Sequence, residues 1–177
     1  MVDLREKVEE DRGLIKKIEL AIPGFRGYRL REDARIADSL LRKQLADKLG
    51  DVRVILEDAR SQLAKAMALD VIDDVGDLIN LIRTVEERVR HAEQGYTGIS
   101  ADYRLNEDEL HALYEYDLHL IDGVNTLRDL ATRVRNGATH GGDELKKAIM
   151  DMRNGIRDFE NVFSKRIEKI AGLGVFE

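Results

Sequence analysis

Apolar residues recur every three or four positions along most of the chain, and a single proline, Pro23, interrupts the 177 residues. That spacing gathers the apolar side chains on one flank of a helix and leaves the charged ones on the other. β-Branched residues are scattered at the same spacing rather than alternating, and tryptophan is absent, which argues against a sheet. Hydrophobic residues at 43% beside charged residues at 36% supply both a core and a solvated exterior. The expected fold is all-α: an antiparallel up-and-down bundle of about five helices, one domain over residues 1–177, with coiled-coil-like packing.

The first helix is predicted from about Leu4 to Ala21, on a narrow stripe of Leu4, Val8, Ile15, Ile18 and Ile22, stopped by Pro23 and Gly24. A long second helix follows from about Leu30 to Met67, roughly 55 Å at about 1.5 Å per residue. Its seam reads Leu30, Ala34, Ala37, Leu41, Leu45, Val52, Ile55, Ala59, Leu63 and Ala66, and Gly50 is its expected weak point. The third spans about Val71 to Ala92. Between Gln94 and Asn106 the pattern lapses over a connection longer than bundle loops usually are. The fourth helix is capped by Asn106 and runs to about Val134; the fifth is capped by Asp143 and carries Leu145, Ile149, Met152, Ile156, Phe159, Phe163, Ile167 and Ile170 inward. Up-and-down packing would bring the Phe25 loop, the Tyr96 loop and the C-terminus to one end, where a site is expected.

A formal charge of -6 disfavours bulk nucleic-acid binding, so no DNA partner is expected. Without cysteine there is no disulfide, thiolate metal site or thiol nucleophile. The charged start and the lack of a long apolar run predict no leader and no membrane span, hence a cytoplasmic protein.

Three constellations invite chemistry. Asp108, His111, Glu115, His119 and Asp122 line one side of helix four, and Glu87 and His91 share that spacing on helix three, as helical metal ligands would. The row faces away from the apolar seam and reads as a solvated stripe, so no metal is expected there. Asp11, Lys48 and Asp117 fall on seams, where a carboxylate must find a cation, a hydroxyl or a metal. Pairing within the bundle is the leading expectation, and a two-carboxylate metal site of Asp11 and Asp117 the alternative. Arg26, Arg29, Arg31 and Arg35 cluster at the start of helix two, beside Phe25 and Tyr28 and on the same end as Tyr96. Free amides and a helix dipole favour an anion or an acidic partner there. No nucleophile elbow surrounds any serine.

Pro23 to Tyr28, Gly95 to Gly98 and Tyr114 to Asp117 form a Pro-Gly-aromatic-x-Gly-Tyr turn, a Gly-Tyr-x-Gly loop and a Tyr-x-x-Asp segment. In these the chain resembles a family of small bacterial and archaeal helical proteins whose activity is uncharacterised. The resemblance spans most of the chain and implies a helical fold.

The expected function is that of a non-enzymatic interaction or scaffold bundle, partnering itself or another protein without a cofactor. Small-anion or nucleotide binding at the arginine-rich turn is the alternative.

Overall fold

The computed structural model describes residues 4–26, 31–92 and 107–173, with side chains over 12–26, 36–92 and 108–169. These residues form five α-helices: α1 (Leu4–Ala21), α2 (Arg31–Lys65), α3 (Leu69–His91), α4 (Glu107–Gly137) and α5 (Gly142–Leu173). No strand occurs among the described residues, and none of the helices is long and apolar enough to cross a membrane.

Three of the helices, α1, α2 and α4, end for local reasons. Pro23 follows α1, and Gly24 takes a φ of +88° that a side chain would resist. The Pro23 carbonyl accepts a hydrogen bond from Gln44 Nε2 at 3.3 Å, which lays this turn alongside α2 more than three turns above its first residue. At the other end of α2 the Ala68 amide donates to Leu63 O at 3.1 Å and the Met67 amide to Ala64 O at 3.2 Å, a Schellman closure. Its left-handed position, usually glycine, is filled by Met67 at φ +58°. Ala68, at φ -82° and ψ 67°, then forms an inverse γ-turn in which Leu69 N donates to Met67 O at 3.0 Å. Gly141 and Gly142, at φ +67° and +76°, turn the chain from α4 into α5. Asp143 lies inside the first turn of α5 with Glu144, where negative charge favours a helix N-terminus.

The core follows a strict rhythm. Buried positions step alternately by four and three: Leu45, Leu49, Val52, Leu56, Ala59 and Leu63 on α2, and Val71, Val75, Leu78, Ile82, Val85 and Val89 on α3. The same rhythm runs through Leu120, Val124, Leu127, Ala131 and Val134 on α4 and from Leu145 to Phe163 on α5. It corrects the expected seam of α2, for Leu49 and Leu56 are buried, Ile55 is half-buried and Ala66 is exposed. Nor does α2 break at Gly50; the helix is continuous, and Gly50 lies under the carboxylate of Glu86.

Around the bundle the order is α2, α3, α5, α4, with α1 laid on α4. Residue numbers on α3 fall as those on α2 rise, through the pairs Asp47 with Arg90, Arg53 with Glu86 and Glu57 with Arg83. They also run oppositely on α4 and α5, where Gly123 meets Phe159 and Gly137 meets Leu145. On α3 and α5 they rise together, Asp74 meeting Arg153 and Arg88 meeting Glu160. Antiparallel neighbours alone therefore do not describe the packing. The beginnings of α2 and α4 and the ends of α3 and α5 share one end of the bundle, and the Met67 and His140 turns share the other.

Candidate interaction surface and the buried charge layer

Near the end that holds the start of α2, the four-three rhythm continues through charged residues. Asp38 and Arg42 precede Leu45 on α2, Asp117 sits between Leu113 and Leu120 on α4, and Arg166 follows Phe163 on α5. Packing brings them together. Arg166 Nε donates to Asp117 Oδ1 at 2.6 Å, and its Nη2 lies 2.8 Å from Asp38 Oδ1. Arg42 Nε donates to Asp38 Oδ2 at 2.8 Å. Two carboxylates and two guanidiniums thus balance, as burial of charge demands. Arg166, Asp117 and Arg42 are buried and Asp38 half-buried. The Phe25 ring packs edge-on to the neighbouring Tyr114, their centroids 6.4 Å apart.

A second charged strip crosses the α2–α3 groove nearer the surface. Glu86, largely buried, receives Arg53 Nε at 3.2 Å and Arg90 Nη2 at 3.3 Å. Arg53 also donates to Glu57 at 2.6 Å and Arg90 to Asp47 at 3.0 Å. The Arg53 pKa is raised by its hydrogen bonds to Glu57 and then Glu86, and the Arg90 pKa chiefly by that to Asp47. Both arginines stay cationic through the whole accessible pH range.

Of the residues singled out in the sequence, Asp117 is held by Arg166, and Lys48 is half-buried beside the seam rather than on it. The side chain of Asp11 lies outside the described residues, as do Tyr28, Arg29, Tyr96 and the side chains of Arg31 and Arg35. Phe25 is buried in the core and not available to stack on a ligand, which corrects its expected place in a binding turn; Arg26 is exposed. In the helix-four row His111 is half-buried, 3.6 Å from Glu115, while His119 and Asp122 are exposed; His91 pairs with Glu87 at 3.0 Å. Among the described residues no group of three or more suitable ligands could hold a metal ion. Arg166 was missed by reading hydropathy alone, as were Asp38, Arg42 and Glu86. The alternation of threes and fours through α5 is the signal that places it on the seam, and it leaves Ile167 half-buried.

A cleft of about 380 Å³ opens at the turn between α4 and α5, lined by Arg133, Asn136, His140, Glu144, Lys147 and Asp151 among others. Cations and acids are interleaved there, and no one charge dominates. Several large apolar side chains stand in solvent. Leu20 on α1 is 80% exposed, Ile36 62%, and Met67 and Leu69 at the α2–α3 turn 79% and 67%. Comparison with protein-family models, with curated proteins and with solved structures gives no match to the chain.

Proposed function

We propose that this chain is a non-enzymatic helical interaction module that associates with itself. The observation that carries the reading is the Met67–Leu69 turn. A left-handed backbone costs a side-chain-bearing residue about 1 kcal/mol or more relative to glycine. Met67 occupies that position at φ +58° with its side chain in water, and Leu69 stands exposed two residues on. Single exposed apolar residues are ordinary, but two large ones on one rigid turn, one of them strained, suit a contact surface. The Schellman and inverse γ hydrogen bonds fix that turn, so little ordering entropy opposes docking. The core charges add support, since Asp117, Asp38, Arg42 and Arg166 are engaged with one another in holding the bundle together. A cysteine-free chain suits a reducing, cytoplasmic setting for such a module.

Size-exclusion chromatography with light scattering tests the reading. A mass above the 20.1 kDa of one chain that falls on dilution is expected. A single-chain mass at every concentration would overturn it.

A further inference from the structure

Two exposed helix stripes of opposite charge each begin at a solvent-exposed leucine. On α1 the outward side carries Leu20, Lys16 and Arg12, spaced by four and all exposed. On α3 it carries Leu69, Asp73 and Asp77, also spaced by four and all exposed. Leu20 and Lys16 on α1, and Leu69 and Asp73 on α3, lie opposite the buried flank, which is Ile18 and Ile22 on α1 and Val71, Val75, Leu78 and Ile82 on α3, while Arg12 and Asp77 continue each row onto the side of its helix.

We infer that α1 of one copy docks against the first turns of α3 of a second copy, the two helices running in opposite directions. Leu20 then meets Leu69 and the neighbouring Met67, Lys16 meets Asp73, and Arg12 meets Asp77. Rows of residues spaced by four are the ridges that interdigitate when helices pack, so the equal spacing lets all three pairs form in one register. The apolar pair supplies a desolvated centre and the two charge pairs set register and choice of partner.

Local electrostatics does not account for the pattern. Acids favour only the first turn of a helix, where Asp70 stands; Asp73 lies a turn later and Asp77 later still. The basic residues of α1 are outside its last turn, where a cation would gain from the dipole. Neither effect explains leucines left 80% and 67% exposed. Within the described residues Arg12, Lys16, Asp73 and Asp77 form no ion pair, so their charges face solvent.

This contact rests on the self-association proposed above and assigns it a surface. The test reverses charge on one stripe at a time, with Arg12→Glu/Lys16→Glu as one protein and Asp73→Lys/Asp77→Lys as the other. All four positions are exposed, so each variant is expected to keep the helical fold, which circular dichroism checks. Each variant alone is expected to associate roughly tenfold or more weakly than the parent, because attraction becomes repulsion. An equimolar mixture is expected to regain association, since the acidic α1 of one variant then faces the basic α3 of the other. Raising salt from about 0.05 M to about 0.5 M is expected to weaken the parent and the mixture alike. Variants that associate as the parent does, or a mixture that stays as weak as its components, would overturn the docking surface and leave self-association standing. A parent chain that is monomeric throughout would instead remove the self-association itself.

Discussion

Arg166 illustrates how much one side chain can hold together. It joins α5 to Asp117 of α4 and to Asp38 of α2 from a position with almost no access to water. Replacing one partner of such a pair leaves the other buried and uncompensated, at a cost of about 3–5 kcal/mol. Arg166→Met is therefore expected to lower unfolding stability by that amount in urea titration. The double variant Asp117→Leu/Arg166→Leu should lose much less, because no charge is then stranded on that side and Asp38 keeps Arg42. Met67 is the opposite case, a residue whose replacement should stabilise the monomer. Met67→Gly relieves the left-handed strain and should raise stability by about 1 kcal/mol in the same titration, while removing apolar surface from the turn. Asp117 was legible as a seam acid in need of a cation. Its partner was not, because arginine at a core position is invisible to a reading that follows only apolar residues.

At the scale of the element, glycines separate helices that tolerate change from those that do not. A Cβ at Gly13, in the exposed part of α1, would meet nothing within 4 Å. Gly13→Ala should therefore raise the melting temperature through helix propensity alone, a gain of about 0.5–1 kcal/mol. A Cβ at Gly123 would lie 3.1 Å from the ring of Phe159, itself buried between α4 and α5. Overpacking costs about 1–3 kcal/mol against a propensity gain of about 1, so Gly123→Ala should melt at the parent temperature or lower. Helix ends marked by Pro23, Gly24, Gly141 and Gly142 could be read from the sequence because those residues have few other uses. The Met67 closure could not, since nothing in a methionine announces a left-handed backbone. Nor did Gly50 break α2, because packing of this long helix against α3 and α4 outweighs the intrinsic cost of one glycine.

For the whole molecule, spacing dictates that helices pack and on which flank, but not which helix each flank meets. In the ring order α2, α3, α5, α4, the helices α3 and α4 are consecutive in the chain and yet are not among the closely packed pairs. The interval from Gln94 to Asn106 is longer than bundle loops usually are, but its length does not say which helices become neighbours. The same limit applies to the outside. The charges of α1 and α3 were plain in sequence, while the exposure of Leu20 and Leu69 beside them needed a structure. Self-association of the unaltered chain is tested by sedimentation equilibrium over a wide concentration range. An average mass that climbs above 20.1 kDa as concentration rises is expected; a value fixed at 20.1 kDa throughout would show that copies of the chain do not associate.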